Sequence, residues 1–404
     1  MADIVPFKAV RPAADKVALV TTRPYDEYSA TELASWLDFN PFSFLHIINP
    51  AFINQQKIDP IKRYQIVATK YTDFKKNGIF ITENLPAMYL YEIRTNKQIF
   101  TGILAGTSLK DYKENVIKKH ENTLEYRVEN LKDYFKASKF NTEPVLMMYP
   151  DNKDLELWIC TKKQETPLYD FSTTNRERHI IWKIDTNNEI KTLQSLFSEI
   201  ENLYIADGHH RSATSQLLLD EEGSNASESM HYFMSYLICE SNIKIHEYNR
   251  LVHDLNGFTS EEFLLKLSQK YHLEKVHEFW KPSHKCSFGM YLEGQFYSLN
   301  LKETPNTEEV LSNLDAQILY ETILQPVLGI GDLRTDSRIS YIPGNHSIVE
   351  LVEKIDLGEY KVGFILYPST IQEIKSLADH NLTMPPKSTY IEPKLRNGLI
   401  IYEF

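Results

Sequence analysis

The chain has 404 residues, 42% of them apolar and 25% charged, with 44 basic against 55 acidic side chains and a formal net charge of −11. Such a chain makes two or three globular domains and buries a large core without covalent staples. The acidic balance disfavours bulk nucleic-acid binding, which needs Lys and Arg on phosphates, but allows a small anionic ligand, for which one local cluster of donors is enough.

The N-terminus has no apolar segment behind basic residues, so no secretory signal is expected, and no window reaches the roughly 18 apolar residues of a membrane span. Residues 1–50 hold short apolar pieces and turn chemistry. Helical spacing follows in "YQIVATKYTDFKKNGIF", and "AMYLYEIRTNKQIFTGILAGTSL" alternates as a hairpin does. "LKDYKENVIKKHENTLEYRVENLKDYFKA" reads as charged helix, "PVLMMYP" and "DLELWIC" as buried strands, and "TLQSLFSEI" as helix. "NLYIADG" is a strand running into a turn, then a helix, an acidic loop and the apolar strand "HYFMSYLICESN". Beyond about Asn249 the texture changes. "TSEEFLLKLSQKYHLEKV" opens with a capping-box signature, and "CSFGMYLEGQFYSLNL" is a hairpin. "EEVLSNLDAQILYETILQPVLG" reads as one long amphipathic helix and "YKVGFILYP" as a strand. Helices and strands without strict alternation predict an α+β fold. The three cysteines, Cys160, Cys239 and Cys286, form no C-x-x-C pair. They fit reduced thiols in a cytoplasmic protein better than a disulfide framework or zinc ribbon.

Chemistry concentrates in "YIADGHHRSATSQLLL". Gly208 lets the chain turn sharply after a strand, and Ala213, Leu217 and Leu218 begin a helical pattern. Asp207, His209, His210, Arg211 and Ser212 therefore cluster at a helix N-terminus, where unpaired N–H groups and the helix dipole favour an anion, most naturally phosphate. Asp207 can orient an imidazole, cap the helix or ligate a magnesium carried by phosphates. Zinc fits less well, because adjacent helical histidines diverge by about 100°. Other candidates are His120, Glu121 and Thr123 in "KKHENT", and Lys387, Ser388 and Thr389 behind a Pro-Pro pair. Arg334 and Arg338 with Asp336, and Arg23, Tyr25, Asp26 and Glu27 in "RPYDEYS", complete the set. Each of these has an ordinary alternative as a solvated helix face, a surface turn or an ion-paired loop.

"RPYDEYS", "NPFSFLHI", "KKHENT", "YIADGHHRSA", "RTDSRISYIPG" and "MPPKSTYIEPKLRNGLI" together resemble, nearly end to end, a widespread microbial family catalogued as a domain of unknown function. Its Asp-Gly-His-His-Arg loop is similar to the phosphate loop of the ParB/sulfiredoxin fold, which includes the free-serine kinases. The resemblance implies a ParB/sulfiredoxin-like domain over 1–250, with insertions. It implies a second α+β domain over 251–404, whose tail can return to the cleft. It implies phosphate on His210 and Arg211, with Asp207 at the hydroxyl substrate, the phosphate or the metal; the reading of the residues adds Gly208, Ser212, Lys387, Ser388 and Thr389 to the phosphate contacts. Asp207 and His209 would serve the chemistry, and Arg23, Tyr25, His120, Thr123, Arg334 and Arg338 the substrate. The kinases' catalytic glutamate has no secure counterpart here; Glu27, Glu121 and Asp26 are candidates. A sulfiredoxin-type cysteine is missing from the loop, which disfavours sulfinic-acid repair. The activity implied is phosphotransfer on free serine or O-phosphoserine with ADP or ATP and magnesium, in serine metabolism. A phosphoserine phosphatase and a ParB-like nucleotide-binding regulator are the alternatives.

Overall fold

The apolar run "MYLYEIR" is buried at every position but its last, as a strand covered on both faces must be. It is Met88–Arg94, paired antiparallel with Ile99–Ser108. The computed structural model describes residues 2–48, 59–277, 279–303 and 309–404, without the side chain of Asp26. The fold mixes α and β, and the chain divides into two units.

The first unit comprises Met1–Lys118, Thr123–Ile243 and Pro393–Phe404. Its main sheet runs Ile117–Lys118, Leu203–Asp207, Val145–Tyr149, Tyr232–Cys239, Ile99–Ser108, Met88–Arg94, Arg178–Ile184, Tyr169–Ser172, with Ile4–Val5 along Ile99–Ser108. Met147, Tyr149, Trp182, Phe197, Ile205 and Leu237 belong to one core on this sheet. Gly102 admits the Tyr236 ring, whose Cζ would lie 2.6 Å from an added Cβ. A smaller sheet orders Phe80–Thr82, Ala9–Pro12, Ile401–Glu403 and Phe140–Asn141, so the chain's last strand is an inner one.

The second unit comprises Lys119–Asn122 and Lys244–Glu392. Lys119–Asn122 joins it through bonds from Met384 N–H to the His120 carbonyl (2.8 Å) and from Asn122 to Thr383 (3.2 Å). Its sheet runs Tyr271–Val276, Gln295–Leu301, Ser287–Leu292, Val362–Ile365, Lys244–Val252, Ile339–Pro343, with Thr389–Glu392 on the first half of Lys244–Val252. Val252 and Phe364 face one core, Leu251 and Ile365 another. The change of unit falls at 243–244, and the tail divides between the units at 392–393.

Three elements differ from their sequence reading. "DLELWIC" is helical, within Lys153–Lys162, because Asn152 caps the N–H groups of Asp154 and Leu155 (3.0 Å each) and Leu155 and Ile159 share a buried face. The charged stretch after Ser108 is two helices, Leu109–Lys113 and Glu125–Ser138, parted by the short strand Ile117–Lys118. The long helix before Gly329 is a 3₁₀ turn, a short α-helix Asp315–Leu319 and a π turn Tyr320–Leu324; Glu308 of that stretch lies outside the described residues.

The break at Asp315 has a consequence for stability. Asp315 is 6% exposed; its Oδ1 accepts the Cys286 N–H at 2.9 Å, and its Oδ2 has no hydrogen bond among the described residues. Burial pushes its carboxyl up to about 6. Between the ordinary value and 6 the folded state binds the extra proton, so stability falls as pH rises through that window. Above it the penalty is about 3 kcal/mol at most. Asp315→Asn should therefore raise Tm at pH 7.5, with the gain vanishing near pH 4. A pH-independent difference in a thermal melt series contradicts this.

Candidate functional site

The strand Leu203–Asp207 is buried up to its last residue, and its register against Val145–Tyr149 shifts between Ile205 and Asp207. A bulge of this kind re-aims the side chain that follows it. Gly208 then takes φ +104°, a conformation that side-chain-bearing residues rarely adopt, and the helix His209–Glu222 begins at once. Gly208 is the N-cap and offers no side chain to the first-turn N–H groups. His209, Ser212, Thr214 and Leu218 face inward, and Thr214 Oγ1 donates to the Val128 carbonyl at 3.3 Å, tying this helix to Glu125–Ser138.

The loop's charged groups are arranged around Asp207. Lys394 Nζ donates to Asp207 Oδ2 at 2.8 Å, and Arg211 Nη2 stands 3.9 Å from Oδ1. Burial opposes ionisation of this carboxyl, but Lys394 and Arg211 outweigh it and hold it well below the usual carboxylate range. Arg211 Nη1 donates to the Pro144 carbonyl, and its Nε lies 4.0 Å from Glu143. His210 Nε2 accepts the Leu124 N–H at 3.0 Å, which requires that nitrogen to be unprotonated; a neutral ring then carries its proton on Nδ1. His210 thus enters the site as a neutral imidazole.

A cavity of about 320 Å³ opens beside the loop. Leu131, Tyr134 and Phe135 of the helix Glu125–Ser138 line one side, and Arg127, His210 and Arg211 bring polar groups to it. Apolar walls with a few convergent donors are the usual makings of a small-molecule site, and the volume is at the lower end of that range.

The segment Pro393–Gly398 threads the first unit's motifs together. Beyond Lys394, Arg396 is buried and its Nε donates to Thr21 Oγ1 at 3.0 Å; Asn397 exchanges backbone bonds with Thr22. Asn397 Nδ2 donates to Glu143 at 3.1 Å, and the Gly398 N–H to Thr142 Oγ1 at 2.6 Å. The inner strand Ile401–Glu403 sets the register of this segment. Lys394, Arg396, Asn397, Glu143 and Arg127 are the residues that sequence reasoning missed. The alternation Lys-x-Arg before Asn-Gly was the available signal, since residues two apart in extended chain share a side.

The other sequence candidates fall on several elements of the two units. Arg23 pairs with Glu32 (3.1 Å) and stacks on Tyr28 at 4.4 Å, and Tyr25–Glu27 is a 3₁₀ turn. The side chain of Asp26 lies outside the described ones. Thr123 is exposed and precedes the residue that bonds His210. His120, Glu121, Arg334, Arg338, Lys387, Ser388 and Thr389 belong to the second unit. There Arg338 donates to Asp336 (3.1 Å) and to the carbonyls of Leu328 (3.1 Å) and Gly329 (2.6 Å), so it clamps its own loop. Arg334 is exposed, and its N–H bonds Asp332 at 2.8 Å. Ser388 spends its hydroxyl on the Pro385 carbonyl at 2.7 Å. Thr389 opens a strand. A magnesium on Asp207 does not fit the observed contacts, because that carboxylate already faces an ammonium and a guanidinium.

A family model described as "Protein of unknown function (DUF1015)" matches residues 4–317. No curated protein matches the chain. Among solved structures, a free serine kinase in complex with AMP is similar at TM-score 0.36 and 14% identity, over 73% of this chain and 88% of that one. SbnI with a C-terminal truncation, from Staphylococcus aureus, reaches TM-score 0.38 and 14% identity over 72% and 84%. A conserved hypothetical protein from Pyrococcus furiosus gives 0.35 and 13% over 72% and 90%.

Proposed function

The chain belongs to the DUF1015 family of proteins of unknown function, and we propose that it is a phosphotransferase acting on free serine or O-phosphoserine with an adenine nucleotide. We read its first unit as ParB/sulfiredoxin-like. One observation carries the reading: the left-handed turn at Gly208 gathers a helix start that no side chain caps, Arg211 and Lys394 around Asp207, beside a cavity with apolar walls. Helix N–H groups and a guanidinium suit a phosphoryl group whose charge spreads over three oxygens. Catalysis of this kind is positioning and electrostatics.

The roles follow from the local chemistry. Arg211 and the first-turn N–H groups of His209–Glu222 hold phosphate oxygens. Asp207, with its carboxyl held low, is a poor proton acceptor and serves as a fixed hydrogen-bond acceptor for the substrate's hydroxyl or ammonium. The proton of the serine hydroxyl passes to a carboxylate, for which Glu27 is the candidate within the first unit. Magnesium takes part as the nucleotide's own counter-ion, bound to its phosphates.

The test is a three-way balance. Purified chain is incubated with O-phosphoserine and Mg²⁺, with and without ADP, and serine, ATP and free phosphate are followed. ATP and serine formed in equal amounts only with ADP is the expected result. Serine and free phosphate without ADP would make the protein a phosphatase, and no turnover together with no nucleotide binding rejects the phosphate-loop reading.

A further inference from the structure

The second unit buries a guanidinium that no carboxylate among the described residues answers. Arg250 lies within the strand Lys244–Val252, opposite Tyr341 on one neighbour and Phe364 on the other, and is 1% exposed. It shares a face with Val252, which belongs with Phe364 and Ile339 to the apolar core. Its Nη1 donates to the Tyr248 carbonyl, and the Tyr341 ring centre lies 5.1 Å from its Cζ. Nε and Nη2 are both buried and have no hydrogen-bond partner among the described residues. Burial draws the guanidinium down to about 10, against the opposing influence of Tyr341 and Tyr248; no carboxylate is among the groups that act on it. The group is therefore charged at neutral pH.

A buried charge with donors unmet is among the costliest features a core can hold, and a stacked ring offsets only part of it. The carboxylates on this strand and on its neighbour Thr389–Glu392 are engaged elsewhere. Glu247, at an alternate position and so on the other side of the strand, lies 3.7 Å from Lys281, and Glu392 pairs with His246 at 2.9 Å. The two unmet donors are also a particular pair. Nε and Nη2 share one edge of the planar guanidinium, the edge that takes a carboxylate through two parallel N–H···O bonds.

We propose that Arg250 anchors a binding site for a small carboxylate in the second unit. The anion lies coplanar with the guanidinium and accepts from Nε and Nη2, so one negative charge neutralises one positive charge inside the core. A phosphate dianion suits the place less well. It brings four oxygens and a second charge, whereas Lys387, whose ammonium stands 5.3 Å from the Tyr248 ring, is exposed.

The test uses the full chain labelled with ¹⁵N-arginine and titrated at constant ionic strength with sodium acetate, sodium formate, inorganic phosphate and chloride. One Nε–H resonance should move saturably with acetate and formate and not with chloride, while Tm rises with the same midpoint. Arg250→Lys should abolish that resonance and weaken acetate binding roughly ten- to a hundredfold, since an ammonium cannot present the paired edge. The unmutated chain decides the matter even where the variant folds poorly. An Nε–H spectrum unmoved by every carboxylate, as when a buried water serves the edge, overturns the proposal. So does a response to phosphate alone.

Discussion

Gly208→Ala is expected to remove roughly 10²–10³-fold of phosphoryl-transfer activity, the loss that follows when one preorganised donor is displaced from a reacting phosphate or oxyanion. Two effects combine at this position. At φ +104° an alanine is strained, at about 1–3 kcal/mol. Its Cβ would also stand 3.1 Å from Arg211 Cζ and 3.2 Å from Nε, so the guanidinium must give way even if the turn survives. Gly223, at the other end of the same helix, supplies the control. It has φ +51° and nothing within 4 Å of an added Cβ, so Gly223→Ala carries backbone strain without touching the site. Both variants should lower Tm; only Gly208→Ala should lose turnover and phosphate binding. Equal activity losses in the two variants would show that the effect is global destabilisation and that the loop has no special part in it.

The loop was legible because its residues are contiguous. A strand, a glycine and a helix in ten residues announce a sharp turn into a helix N-terminus, and Leu203–Asp207 with His209–Glu222 forms as that pattern predicts. Its partners were not legible, because they come from 67 and 187 residues away, at Pro144 and Lys394, and local periodicity carries no information about such pairings. Lys387 and Lys394 lie in one quoted motif, and the unit boundary falls between them at 392–393, which local sequence does not mark. In the fold, strands buried on both faces, such as Val145–Tyr149 and Val362–Ile365, were readable as short apolar runs. "DLELWIC" is also rich in apolar residues but is a helix, and the deciding residue, the cap Asn152, stands just outside that stretch. The break before Asp315 was invisible for a related reason: the bond from Cys286 that holds the Asp315 carboxyl is tertiary.

Lys394→Met is the variant with the next largest expected effect, and it acts through Asp207. The ammonium at 2.8 Å is the nearer of the two cations that keep this carboxyl ionised, the guanidinium of Arg211 standing at 3.9 Å. A depressed carboxyl contributes stability above its unfolded value and loses it as pH falls through its folded value. In the parent chain that loss lies below the usual carboxylate range. Removing Lys394 while burial still raises the carboxyl moves the loss upward, into the range of ordinary carboxylates or beyond. Arg211, then the principal counter-charge, should turn toward Asp207 and away from the phosphate. The expected result is a fall in kcat of roughly 10²-fold, with the acid limb of the pH–rate profile shifted to higher pH. Lys394→Arg, which keeps the charge, should restore the acid limb even if its longer fork leaves kcat reduced. The profile separates this role from a structural one. A Lys394→Met chain that is merely less stable loses rate evenly across pH, and an acid limb left where it is in the parent would show that Lys394 does not govern Asp207.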